Sequence, residues 1–395
     1  MDFFENPICK LFFAEIRSLG FIASRDPIPG AKPYAVIGGR SNVRWWLVPL
    51  TNRNVTTSGL ALFQPIIPSA KILKTAATAL SAVGLASLWA RKLVYVLCPP
   101  VFSDLFSCSD LTYAFFTGTD SPHRKTTVQI MGADGGIKGF AKISLSPKIK
   151  ELIAHEANCI DYVQSLRLES CCIPKMLLSA EISGAQILVT NTEKTRYSKS
   201  PTVFMALHKG FLSELMSKST KDKETLAGSQ FLLDIRKQAE QYSIRLPTGW
   251  NTRFAEAFSK ISSLAPTIKA EIVFCHGDFT PWNTFMVNNR LYVFDWEYAH
   301  KSYPPGYDLI HFTLSLPESK RRPSKTTIRL VRKLLTEMGL TENDAEADVL
   351  FLCYLCGHSL QYIAREPYEC GKLETWDGEP GKADFIDTII RWKTE

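Results

Sequence analysis

Apolar and polar positions alternate in five short stretches between residues 109 and 191: L-T-Y-A-F-F from Leu111, K-T-T-V-Q-I-M from Lys125, G-F-A-K-I-S from Gly139, K-M-L-L-S-A-E-I from Lys175 and A-Q-I-L-V-T-N from Ala185. A period of two with β-branched and aromatic residues predicts strands. The run S-P-K-I-K-E-L-I-A-H-E-A-N-C-I-D-Y-V-Q-S-L separates the third from the fourth. Its apolar stripe (Ile149, Leu152, Ile153, Ile160, Val163) has helical spacing, with Ser146 as N-cap and Pro147 at the first helical position. The predicted order is strand, strand, strand, helix, strand, strand.

Upstream, Tyr34 to Pro49 reads as a hairpin around Gly38-Gly39-Arg40-Ser41-Asn42. Its Arg40, Asn42, Arg44, Trp45 and Trp46 could line a polyanion or sugar site, but a packed hairpin with surface arginines is the simpler expectation. Residues 75–90 carry no charge and are bounded by Lys74 and Arg91. Sixteen residues fall short of the roughly twenty of a spanning helix. Leu73, Ala77, Leu80, Gly84 and Leu88 recur at helical steps, which predicts a buried or interfacial helix. A second reading is peripheral membrane contact through residues 71–92, with Lys71, Lys74, Arg91 and Lys92 as its flank. Beyond residue 200 the pattern is mainly helical, interrupted by I-V-F-C-H-G-D and L-Y-V-F-D-W. These textures predict an α+β chain in three parts: an accessory region over 1–108, a small antiparallel-sheet part over 109–193 and a helical part over 194–395.

Composition narrows the partners. The chain has 395 residues and a net charge of +7, with 45% hydrophobic residues, enough apolar surface to fold. That charge is too thin for a dedicated nucleic-acid binder, and none is expected as partner; anionic ligands remain compatible. The ten cysteines show no paired zinc spacing, and Cys353 and Cys356 sit in an apolar helical run, where buried thiols are expected. Met1-Asp2-Phe3-Phe4-Glu5 has acid where a secretory leader has base, so a cytoplasmic setting is expected.

The chemistry-bearing stretch is His276-Gly277-Asp278-Phe279-Thr280-Pro281-Trp282-Asn283, followed by Asp295-Trp296-Glu297. Phosphoryl transfer needs a positioned nucleophile and metal ions over the phosphates. Asp278 is the carboxylate to meet an acceptor hydroxyl. Asn283 and Asp295 are the oxygen donors for Mg²⁺, a hard cation. The β-prone run I-V-F-C delivers His276 and Asp278 into a loop, and L-Y-V-F delivers Asp295. Upstream, Lys142 falls on the third strand, and Glu156 falls on the apolar stripe of the next helix. A buried carboxylate needs a partner, and Lys142 is the obvious one. Such a pair holds a lysine against nucleotide phosphates.

H-G-D-F-T-P-W-N and F-D-W-E-Y-A resemble the H-x-D-x-x-x-x-N loop and D-x-E/D segment of the aminoglycoside phosphotransferase and choline kinase superfamily, and P-P-G-Y-D-L its following turn. The resemblance spans residues ~110 to ~390 and implies a two-lobed protein-kinase-like fold, with 1–108 as an extra N-terminal region. It implies an ATP- and Mg²⁺-dependent kinase of a small-molecule hydroxyl, an amino-alcohol or a sugar or glycan precursor. Asp278 is then the base, Asn283 and Asp295 the metal ligands, Lys142 the phosphate lysine and Glu156 its partner. The backbone at Val189 to Asn191 would meet adenine. His276 and Asp308 would brace the loop, and Glu297 would be a brace or a minor metal contact. No G-x-G-x-x-G is present; Gly118 and Thr119, with Asp120 and Ser121, stand where a phosphate flap is expected. Arg124 and Lys125 would serve nucleotide charge or be solvated loop residues. The acceptor candidates are Trp376, Asp377 and Glu379, in a region that also holds Tyr354, His358, Gln361, Tyr362, Tyr368, Asp384 and Trp392. Two rival readings stay open: a kinase of a protein or lipid-linked acceptor, and a kinase-like nucleotide-binding scaffold without catalysis.

Overall fold

The five alternating stretches become five neighbouring strands of one antiparallel sheet in the computed structural model. The structure describes all residues except 1–2, 39–43, 66–67, 220–223, 269–270, 320–321, 323, 366–378 and 393–395, and the side chains of 379–380. The chain divides into two units, Met1–Tyr162 with Ile173–Ser198, and Val163–Cys172 with Lys199–Glu395.

The first unit opens with α1 (Pro7–Arg17), β1 (Ile22–Ser24), β2 (Lys32–Gly38) and β3 (Trp45–Pro49). Then come α2 (Arg53–Gly59), α3 (Pro68–Ala82), β4 (Leu93–Leu97), α4 (Ser103–Phe106), β5 (Leu111–Phe116), β6 (Thr126–Gly132) and β7 (Ile137–Ser144). Helix α5 (Pro147–Ser165) starts at the proline that the sequence places first. Past β8 (Cys171–Cys172), which belongs to the second unit, β9 (Met176–Ile182) and β10 (Ala185–Asn191) complete the sheet. The nine strands run in the order β1-β4-β2-β3-β5-β6-β7-β10-β9.

That order corrects the boundary drawn at residue 108. The N-terminal strands are no separate region: β3 pairs with β5 through Trp46↔Phe116 and Leu47↔Phe115. One apolar cluster joins Phe12 of α1 to Trp45, Phe115, Ile143 and Val189. The period-two pattern could not show this, because it marks which face of a strand is buried and not which strand lies beside it. The reading of α3 as buried also needs correction, since only Ala77 and Ser81 of that helix are buried.

The second unit is mainly helical: α6 (Ala206–Ser219), α7 (Gln230–Gln241), α8 (Trp250–Leu264), α9 (Tyr307–Ser315), α10 (Ser324–Glu337), α11 (Asp344–Arg365) and α12 (Glu379–Arg391). Two small ladders interrupt it. β11 (Val273–Cys275) pairs with β14 (His300–Tyr303), while β12 (Thr284–Val287) forms a hairpin with β13 (Arg290–Val293), which also pairs with β8. Cys353 and Cys356 are fully buried in α11, and burial pushes both thiols up, as expected of core cysteines. With a nine-stranded antiparallel sheet in the first unit and mainly helices in the second, the chain is of the expected α+β class. Among the described residues, no helix is long and apolar enough to cross a membrane.

Candidate active site

In the second unit, β11 delivers His276, Gly277 and Asp278 into a loop that the fold holds on several sides. Asp308, buried in the first turn of α9, accepts the His276 amide at 2.7 Å on Oδ2 and the Gly277 amide at 2.9 Å on Oδ1. Burial raises the Asp308 carboxyl pKa, while His276 and the two amides act against that rise. Gly277 has φ +78°, and a Cβ there would lie 2.1 Å from the Tyr298 carbonyl oxygen, so only glycine lets the loop cross that backbone. His276 is fully buried. Its Nδ1 accepts the Asp278 amide at 3.3 Å, which leaves Nε2–H to donate to the Phe294 carbonyl at 3.0 Å. One imidazole thus ties the loop to the chain beside Asp295.

The β12–β13 hairpin brings the two metal-ligand candidates to one end. Thr284 pairs with Val293, and the Phe294 amide donates to the Asn283 carbonyl at 3.2 Å, so Asn283 and Asp295 flank the same end of the ladder. Asn283 Nδ2 donates to Asp278 Oδ2 at 2.9 Å and to the Asp278 carbonyl at 3.0 Å. With its nitrogen turned to Asp278, the amide has its oxygen to offer a cation. Asp295 has φ +70°, a left-handed conformation uncommon for a residue with a side chain and typical of functional positions. The Glu297 carboxylate lies within 4.8 Å of the Asp295 carboxylate. This all-oxygen donor set fits a hard cation such as Mg²⁺.

The sequence reading missed the residue on the other Asp278 oxygen. His311 Nε2 lies 3.0 Å from Asp278 Oδ1, and its Nδ1 lies 2.8 Å from the Tyr354 hydroxyl. Burial pushes the Tyr354 phenol well up, so it stays protonated and donates to Nδ1; Nε2–H then donates to Asp278. Asp278 keeps 29% side-chain exposure, which leaves it open to a substrate. Behind His311 stands His358, its ring 4.7 Å away, and Lys382 Nζ lies 2.7 Å from His358 Nδ1. Burial brings Lys382 down to about 7, with Arg365 adding to the fall. Arg365 lies over the Tyr298 ring at 4.1 Å and the Tyr362 ring at 4.8 Å. Burial raises the Tyr298 phenol, and Glu297, Asp295 and Asp278 reinforce the rise. His311 lies one helical turn past Asp308 of the P-P-G-Y-D-L turn, but it belongs to none of the quoted motifs, which is why the sequence did not single it out.

The first unit holds the remaining candidates. Lys142 on β7 sits opposite Thr127 of β6 and Leu188 of β10. Its ammonium donates to both Glu156 oxygens at 2.5 Å, and Glu156 is 3% exposed. Val189 is paired on both sides, with Ala141 and Leu178, so its backbone groups belong to the ladder. Asn191 pairs with Gly139 and accepts the Lys175 amide at 2.7 Å on Oδ1. Gly118, with φ +88°, opens the β5–β6 connection, and a Cβ there would meet the Lys125 carbonyl oxygen at 2.5 Å. Its neighbour Thr117 is pinned to β3, and Thr119 is partly exposed.

Arg124 is not a solvated loop residue. It is partly buried against the buried Glu15 of α1, with Nη1 3.0 Å from each carboxylate oxygen. Thr126 Oγ1 donates to the same carboxylate at 2.6 Å.

The acceptor candidates Trp376 and Asp377 lie outside the described residues, as do Tyr368 and the side chain of Glu379. So do Arg40 and Asn42. Gln361 is engaged with Tyr303 and Tyr307, Asp384 with Ser324, and the Trp392 ring lies under Arg332, Arg329 and Lys325.

No curated protein matches the chain in sequence. Among solved structures, a thermostable mutant of aminoglycoside phosphotransferase APH(4)-Ia, in complex with ADP and hygromycin B, is similar at 12% identity and TM-score 0.48, covering 73% of this chain and 96% of that one. Choline kinase LicA from Streptococcus pneumoniae is similar at 14% identity and TM-score 0.45, covering 67% and 89%. Macrolide 2'-phosphotransferase MphH from Brachybacterium faecium is similar at 14% and TM-score 0.42, covering 72% and 93%. Residues 219–327 match the model of the phosphotransferase enzyme family, a stretch that contains the His276–Asn283 loop, the Asp295 segment and Asp308. That stretch is similar to the phosphotransferase enzyme family, and it holds the motifs at His276–Asn283 and Asp295–Glu297.

Proposed function

We propose that this protein is an ATP-dependent kinase that moves the γ-phosphate of ATP to a hydroxyl group of a small molecule. The observation that supports this reading best is the state of Asp278: its two carboxylate oxygens are held by Asn283 and His311, on a loop fixed by Asp308, while the side chain keeps solvent access. A carboxylate fixed so, with lone pairs to spare, is suited to take the proton of an attacking hydroxyl. Asn283 and Asp295, with Glu297 close by, would hold Mg²⁺. That ion neutralises charge on the β- and γ-phosphates during transfer. Lys142, oriented by Glu156, binds the phosphates nearer the nucleoside. Gly118 and Thr119 cover them.

Both acceptor classes stay within this reading. The groups packed behind and beside Asp278 are His311, His358, Lys382 and Arg365, interleaved with Tyr298, Tyr354 and Tyr362. Tyrosine rings beside carboxylates suit stacking on a sugar ring as well as a cation–π contact with a quaternary amine.

The test is phosphorylation of a metabolite library by the purified full chain with Mg²⁺ and labelled ATP, beside Asp278→Asn. Labelled product from wild type and none from the variant supports the reading. ATP loss equal in both removes Asp278 as base, and no Mg²⁺-dependent binding of ATP removes the kinase reading.

A further inference from the structure

We propose that α3 and the turn after it form a docking surface for an anionic lipid bilayer, on which the protein lies without crossing. The helix is built the wrong way round for a soluble domain. A surface helix normally turns its apolar stripe inward. In α3 the residues against the protein are Ala77 and Ser81, with Ala77 packed on Val48 and Leu60. Ile72, Ala76, the partly buried Leu80 and, just past the helix end, Val83 recur at i, i+4, i+8 and i+11, a stripe that at 3.6 residues per turn is turned about 125° away from Ala77 and Ser81. Ile72 is 72% exposed and Val83 68%.

The turn extends this face. Trp89 Nε1 donates to Ser81 Oγ at 3.0 Å, which folds residues 84–89 back on the end of α3. Leu85, Leu88 and Leu93 are exposed there, with the exposed Leu73 at the other end of the helix. Scattered surface leucines need no explanation, but a run of this length on one element does.

Charge decides what covers it. Residues 27–103 hold eight Lys and Arg and no Asp or Glu, more than the whole net charge of +7. Lys71, Arg91 and Lys92 are exposed beside the apolar face. A second copy would bring these flanks against their own kind in a two-fold contact, which costs energy. An anionic headgroup layer meets them with opposite charge while its acyl region takes Ile72, Val83 and Leu88. At 15 residues, α3 is too short to span.

The test uses the full chain and sedimentation with vesicles of phosphatidylcholine alone or with one-third phosphatidylglycerol. Wild type is expected to sediment with the anionic vesicles and to stay in solution with the neutral ones. Ile72→Gln with Val83→Gln, and separately Lys71→Glu with Lys92→Glu, should each weaken binding by roughly 10- to 30-fold, with an unchanged circular dichroism spectrum. Equal sedimentation with both vesicle types, no sedimentation, or insensitivity to both variant pairs overturns the proposal. A concentration-dependent dimer lost in the Ile72→Gln, Val83→Gln variant also overturns it, since it assigns the face to a second copy.

Discussion

His311 Nε2 meets Asp278 Oδ1 at 3.0 Å, while Asn283 Nδ2 meets Oδ2 at 2.9 Å. The carboxylate plane is thereby fixed from both sides. Asp278→Asn should lower kcat by roughly 10²- to 10⁴-fold with little change in ATP affinity. His311→Leu keeps the base but frees its rotation, and should lower kcat by roughly 10- to 100-fold. His311→Gln, which can still donate, should recover part of that loss. Steady-state kinetics on the identified acceptor read all three; equal activity of wild type and His311→Leu would show that orientation from this side is dispensable.

The Lys142–Glu156 pair gives a prediction that needs no acceptor. Glu156 is 3% exposed and accepts from the Lys142 ammonium on each of its oxygens. Lys142→Met removes the cation from a buried carboxylate and should cost up to about 3–5 kcal/mol of stability. Glu156→Gln removes the charge but keeps an acceptor, and should cost less. Both should weaken ATP binding, by roughly tenfold or more, in a titration followed by fluorescence of a nucleotide analogue. Undiminished affinity in Glu156→Gln would separate the pair from nucleotide binding.

Glu15 and Arg124 test whether the N-terminal strands belong to the sheet unit. Breaking this buried pair with Glu15→Ala should destabilise the protein by about 3–5 kcal/mol in urea, and the double change Glu15→Leu, Arg124→Leu should recover much of it. A chain of residues 109–395 alone should not unfold cooperatively, since β5 would lose its β3 partner and the cluster around Phe115 its cover. A cooperative transition in that chain would restore a boundary near residue 108.

Lys382 carries a pH signature. Burial brings its ammonium down to about 7, below the ordinary lysine value that the unfolded chain keeps. Between these values the unfolded chain binds the extra proton, so stability rises with pH. The penalty is full below about 7 and fades toward the unfolded value. Lys382→Met should therefore stabilise the protein at pH 7, by a few kcal/mol at most once the lost bond to His358 is deducted, about 1 kcal/mol. The advantage should shrink at pH 9.5. Urea denaturation at the two pH values measures it, and a gap that widens with pH would contradict the buried neutral amine.

The local order of elements in the sheet unit was written in the sequence. Each of the stretches at Leu111, Thr126, Ile137, Met176 and Ala185 is a strand, and Pro147 starts the helix between them. Periodicity reports one residue's environment relative to its neighbours, and that suffices for such elements. The grouping of His276, Asp278, Asn283 and Asp295 was equally legible, because they lie within twenty residues of one another around a short hairpin.

Tertiary structure alone decided the rest. It carried residues 22–97 into the same sheet, buried Arg124 on Glu15 over 109 residues of separation, and set His311 against Asp278. It also turned the apolar side of α3 outward. These are pairings between distant segments, and a sequence pattern encodes how strongly a side chain seeks burial or a counter-charge without encoding which remote partner supplies it.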